Sequence, residues 1–87
     1  MATVFIPPAL RRMTGDVRLV EISSQTVRGA VAELERMFPG IQDRLCDGDQ
    51  LRPGISVSID SRISGIGLLE RVGPNSEVHF IATVHGG

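Results

Sequence analysis

"SSQTVRGAVAELERMFPG", residues 23–40, is the stretch that decides the fold. Val27, Ala30, Val31, Leu34, Met37 and Phe38 fall at i, i+3, i+4, i+7, i+10 and i+11, which lays one apolar stripe along a helix. Ser23 and Ser24 are the expected caps, because a side-chain oxygen ahead of the first turn accepts from its unpaired N–H groups. Pro39-Gly40 ends the helix. Gly29 beside Ala30 makes a small-residue patch where a sheet could approach closely. A helix with a single apolar stripe must bury it against another layer, so the flanking segments are read for strands.

On the N-terminal side, Thr3 to Ile6 is β-branched and aromatic, and Pro7-Pro8 stops ladder pairing there. "RRMTGD" (11–16) reads as a turn, and Val17 to Ile22 as a second strand returning in a hairpin. On the C-terminal side a polar stretch, "CDGDQLRPG" (46–54), leads into "ISVSID" (55–60). That segment alternates as a strand wet on one face, with Ile55, Val57 and Ile59 inward. "SRISGIG" (61–67) reads as loop, "LLERV" (68–72) as a short turn or single helical turn, and "GPNS" (73–76) as a tight turn. The last strand runs from Glu77 to Val84, with Val78, Phe80, Ala82 and Val84 on one face and His79, Ile81, Thr83 and His85 on the other. The order predicts an α+β fold, a mixed sheet packed on one main helix.

Composition narrows the function. The 87 residues are enough for one domain, with a tail from about residue 84 to 87 beyond its core. Nine arginines stand against ten acids for a net charge of −1, so no strong field exists to hold a nucleic acid. The aromatic residues are only Phe5, Phe38 and Phe80, too few and too apolar in setting for base stacking. No apolar run approaches the roughly 20 residues of a membrane span. The lone Cys46 cannot form an internal disulfide and no basic-then-apolar leader is present, which leads us to expect a cytoplasmic protein. Lysine is absent, so no side-chain amine is open to conjugation, although arginine-rich codon usage in a short chain explains this more simply.

Catalytic constellations are scarce. His79 and His85 stand six residues apart on one strand face, too far to share a metal unaided, and Cys46 adds no recognised ligand spacing. Asp43, Asp47 and Asp49 surround Cys46, with Arg44 the only cation close in sequence, so the thiol is expected to be structural and not a nucleophile. "GIG" (65–67) lacks the Lys-Ser/Thr of a phosphate loop, and "CDGDQ" (46–50) lacks the spaced ligands of a calcium loop. What remains is "TVHGG" (83–87): with no Cβ on Gly86 or Gly87, such an end can lie extended in a narrow channel and present the Gly87 carboxylate.

Joined to the element order, that Gly-Gly end resembles the ubiquitin-like β-grasp sulfur carriers, which include the molybdopterin synthase small subunit and the thiamine sulfur carrier. The resemblance spans essentially the whole chain. "IPPALRRMTGD" (6–16), "LERMFPGIQDRL" (34–45) and "ISVSID" (55–60) are most similar to the sulfur carrier of cysteine biosynthesis. It implies a protein that performs no catalysis and binds no cofactor of its own. An E1-like adenylyltransferase would use ATP and Mg²⁺ to activate the Gly87 carboxylate, and sulfur would replace the adenylate as a thiocarboxylate. A sulfur-accepting synthase, pyridoxal-phosphate-dependent in the cysteine branch, would take the sulfur, and a metalloprotease would release the cysteine left on the tail. A molybdopterin synthase small subunit and a ubiquitin-like modifier or interaction module stay open as alternatives. Two departures stand out: many carriers have a small residue before Gly-Gly and proline in the last strand, whereas here the end is "FIATVHGG". His85, with Val84 before it, is therefore the candidate for partner specificity.

Overall fold

The computed structural model describes residues 1–82. Its strands are β1 (Ala2–Phe5), β2 (Leu19–Ile22), β3 (Cys46–Asp47), β4 (Gln50–Leu51), β5 (Ile55–Ile59), β6 (Arg62–Ile63) and β7 (Glu77–Ala82). The helices are α1 (Val27–Met37) and α2 (Ile41–Leu45), with 3-10 turns at Pro8–Leu10 and Gly67–Leu69. Five strands form a mixed sheet in the order β2-β1-β7-β5-β6, and β3 and β4 form a separate small ribbon. β1 and β7, the first and last strands, run parallel from Thr3 opposite Glu77 to Phe5 opposite His79. Every other pairing in the sheet is antiparallel. The expected α+β class, a mixed sheet on one main helix, is what the chain adopts.

α1 buries Val27, Ala30, Val31 and Leu34 against the inner face of the sheet, where Val4, Ile22, Val57 and Val78 are fully enclosed. Those four helix positions follow the periodicity seen in the sequence. Phe38 packs at the core edge, whereas Met37 turns outward, because α1 ends there and the chain bends into α2. The N-cap is Thr26, whose Oγ1 accepts from the Gly29 N–H at 3.1 Å, and not Ser23 or Ser24. Both serines are engaged elsewhere: the Glu33 carboxylate accepts from the Ser23 and Ser24 N–H groups and from the Ser24 hydroxyl. Gly29 therefore faces Ser24 and not a strand, since a Cβ built on it would stand 2.6 Å from Ser24 Cβ.

The polar stretch after α1 holds more order than its composition suggests. Ile41 and Leu45 anchor the five-residue α2 in the core, and the Glu35 carboxylate at the end of α1 accepts from the Gly40 and Gln42 N–H groups at its start. Within "SRISGIG" the expected loop contains β6: Asp60 and Ser61, both at positive φ, turn β5 back so that Ile59 opposes Arg62. Asp60 steadies that turn by accepting from the Glu77 N–H at 2.8 Å. Ser58, expected on the wet face, is buried between its neighbours His79 and Ile63.

Candidate functional site

β7 lies between β1 and β5 at the middle of the sheet, so the backbone that leads to the tail is held on both sides. The two sides do not extend equally. The ladder with β5 continues to Ala82, but the ladder with β1 stops at His79, because Pro7 and Pro8 turn the chain away after Phe5. Proline has no N–H to give a ladder, and its fixed φ favours the 3-10 turn that follows. That turn leaves a gap beside the end of β7, an apolar cavity of about 210 Å³. Its inner lining comes from Leu45 of α2, Ile55 of β5 and Phe80 of β7, Leu10 and Ala9 form the side of the 3-10 turn, and Arg44 stands at the edge.

On the outer face of the sheet a row crosses four strands: Leu19, Phe5, His79 and Ser58. The Phe5 and His79 rings stack with centroids 4.1 Å apart and planes 9° from parallel. His79 Nε2 is also 3.7 Å from Glu77 Oε1, an ion pair when the ring is protonated. Such stacking occupies the His79 ring as part of the sheet surface. Among the described residues no three His, Cys, Asp or Glu side chains gather as a metal site.

Cys46 is a core residue, 6% exposed, packed where α2 meets β3. Burial pushes its thiol upward, and the opposing charges of Arg28 and Arg52 do not overcome this, so it stays protonated and unreactive at neutral pH. The cations acting on it are thus brought from α1 and the loop after β4, not from Arg44 next to it in sequence. Sequence neighbours pointed to the correct protonation state through the wrong partners.

Val84, His85, Gly86 and Gly87, the expected specificity and sulfur-carrying positions, lie outside the described residues. The structure brings to the start of that segment a set the sequence did not reveal, Ala9, Leu10, Arg44, Leu45, Ile55 and Phe80. They come from four separate parts of the chain. The one local signal was Pro7-Pro8, which marks where β1 must leave the sheet.

A first and last strand paired in parallel at the centre of a mixed sheet, with one long helix across its inner face, define the ubiquitin-like β-grasp class. Comparison with known proteins places the chain within it. The sulfur carrier protein CysO of Mycobacterium tuberculosis is 32% identical over 98% of this chain and 97% of its own length, as is that of Mycobacterium bovis. The chain belongs to the CysO sulfur carrier proteins. Among solved structures, a chain of the Amycolatopsis orientalis BexX/CysO complex superposes with a TM-score of 0.90 at 31% identity, covering both chains in full. Mycobacterium tuberculosis CysO superposes at 0.86 with 28% identity over 97% of this chain and all of that one. The fold is shared more widely: SAMP1 of Haloferax volcanii matches at a TM-score of 0.73 and 22% identity over 99% of this chain and 98% of that one. No protein-family model matches the sequence.

Proposed function

We propose that this chain carries sulfur as a thiocarboxylate on Gly87 and delivers it for cysteine synthesis in the cytoplasm. The observation that carries the reading is a Gly-Gly end on a chain that aligns with CysO sulfur carriers over nearly its whole length. The carboxylate of Gly87 attacks the α-phosphate of ATP on an E1-like adenylyltransferase, releasing pyrophosphate and forming an acyl adenylate. A sulfide donor then displaces AMP, and the carbonyl carbon keeps one oxygen and gains one sulfur. The chain's own part is to hold its body still on the enzyme while the two glycines, without Cβ atoms, thread to the reacting atoms. ATP and Mg²⁺ belong to that enzyme. A pyridoxal-phosphate-dependent synthase is the acceptor, and a metalloprotease frees the product. The complex formed by the Amycolatopsis relative with BexX supports a role exercised through a protein partner.

The test is to incubate the protein with its cognate adenylyltransferase, ATP, Mg²⁺ and sulfide and to record its intact mass. An oxygen-for-sulfur increase located at Gly87 is expected. Removing Gly86 and Gly87 abolishes it while shifting stability by less than about 0.5 kcal/mol, the range for surface changes away from buried features. An unchanged mass under conditions that convert a control carrier refutes the reading.

A further inference from the structure

The end of β7 is surrounded by cations of one kind. Arg44 stands at the edge of the cavity that Ala82 also lines, and Arg11 follows the 3-10 turn on its other side, its Nε donating to the Ile6 carbonyl at 3.3 Å. Arg52 is fixed beside β5: its carbonyl accepts from the N–H of Ile55, the residue opposite Ala82, and its Nε donates to the Asp43 carbonyl at 2.7 Å. Gly87 is five residues beyond Ala82, and a chain gains at most about 3.3–3.6 Å per residue, so the carboxyl can swing no further than about 18 Å from Ala82. All three arginines lie within that radius.

An activated acyl group sweeping this space is consumed by any strong nucleophile it meets. A lysine amine attacks the carbonyl carbon of an acyl adenylate: a C–N bond forms, the acyl C–O bond breaks, AMP leaves with its electron pair and one amine proton passes to water. The product is an amide that sulfide does not reopen. At pH 7.4 a lysine is neutral about once in a thousand molecules, and an arginine about a hundred- to two-thousandfold more rarely. A short flexible tether presents its end to the body at a roughly millimolar concentration, so even that small neutral fraction of a lysine would count. The 87 residues contain no lysine. Independently, the single thiol, Cys46, is withdrawn into the core at 6% exposure. Histidine is no trap, because an acyl group on imidazole stays activated and passes on.

We propose that Arg11, Arg44 and Arg52 form an inert cationic collar, which keeps positive charge beside the anionic end of the carrier while denying its activated carboxyl an amine, so that the acyl group survives to meet sulfide. The proposal rests on the function proposed above. Codon usage accounts for arginine as the common cation, but gives no reason for a lysine at these positions to intercept the acyl group.

The experiment restores an amine within and beyond reach of the tail. Arg44→Lys and Arg52→Lys keep the charge inside the radius. Arg71→Lys places it beside Met1 and Ala2, at the Glu77 end of β7, about 17 Å of strand away from Ala82. Denaturant melts establish that the variants fold. Each is incubated with the adenylating enzyme, ATP, Mg²⁺ and limiting sulfide, and its intact mass is recorded. Self-acylation gives a species lighter by one water, and peptide mapping locates the new amide between Gly87 and residue 44 or 52. Counted per AMP released, so that a slower variant stays informative, this species is expected at least about tenfold above the parent level in Arg44→Lys and Arg52→Lys and at the parent level in Arg71→Lys. It should rise about tenfold from pH 7 to pH 8 as the amine loses its proton, with thiocarboxylate falling in step. Parent-like masses in both near variants overturn the proposal, and so does equal self-acylation at residue 71, which would show that the tail's reach does not select the site. Loss of AMP release in both near variants overturns it too, because arginine would then serve recognition and not inertness. AMP release by the parent is the control: its absence counts against the carrier function itself.

Discussion

Replacing Gly29 with alanine sets two effects of known size against each other. In a helix the change relieves backbone entropy and is worth about 1 kcal/mol in favour of alanine. Against this, the new Cβ would lie 2.6 Å from Ser24 Cβ and 2.7 Å from Ser24 Oγ. Rotation of the serine moves Oγ but leaves Cβ in place, so the backbone at residue 24 has to give way. Overpacking of this kind costs about 1–3 kcal/mol. Moving Ser24 also weakens its N–H and hydroxyl bonds to the Glu33 carboxylate, and hydrogen bonds to a charged group contribute about 1.5–3 kcal/mol. The clash outweighs the propensity, and Gly29→Ala is expected to destabilise the protein by about 1–3 kcal/mol net. Urea melts at constant m measure it as a lower midpoint, and thermal melts should show a fall in Tm of about 4–8 °C per kcal/mol for a chain of this size. In a Ser24→Gly background both clashing atoms are gone, so the same Gly29→Ala change should become neutral or stabilising. A Gly29→Ala protein as stable as the parent, or an equal loss in both backgrounds, refutes the assignment of Ser24 as the obstacle.

Burial raises the Glu33 carboxyl, but hydrogen bonds from Ser24 and Ser23 and the charge of Arg36 lower it further, so it titrates below the usual glutamate range. A lowered carboxyl stabilises the fold above its unfolded pKa and loses that contribution as pH falls through its folded value; Glu33→Gln should therefore cost about 1 kcal/mol at pH 7, with the gap from the parent closing in acid melts below about pH 4. Cys46→Ser places a hydroxyl in the core and should cost about 1–3 kcal/mol in a urea melt, while adenylation by the folded fraction stays at the parent rate because the thiol takes no part. His85→Ala, at the position proposed for partner specificity, should change relative turnover with two different partner enzymes; equal ratios for variant and parent remove His85 from that role.

The parts of the fold legible in the sequence are those whose side-chain pattern repeats. α1 shows its stripe over three turns, and β5 and β7 alternate over enough residues to separate inside from outside. α2 and the β3–β4 ribbon escape because five and two residues are too short for a period to register, and "CDGDQ" is solvated on most of its surface. β6 escapes because its turn uses Asp60-Ser61 where a glycine would have announced it. The serines ahead of α1 are suitable caps by type, yet Glu33, two turns into the helix, claims them, a tertiary contact that local chemistry does not forecast. At the candidate site the glycine end was legible as composition, while the cavity beside β7 exists only once residues 9–10, 44–45, 55 and 80 meet.

The place of β7 also governs how the chain can be born. A strand that sits between β1 and β5 supplies both of their inner ladders, so until residues 77–82 have been synthesised those two strands expose unpaired edges and the face beneath them stays open. The β1–β7 pairing joins residues more than seventy positions apart, and such non-local closure comes late and slowly in folding. A chain interrupted just upstream of β7 is left with two separate strand pairs, β2-β1 and β5-β6, whose open edges are a target for proteases and chaperones. Completion of the sheet thus acts as an inspection step: only molecules whose last strand has been made intact become folded protein.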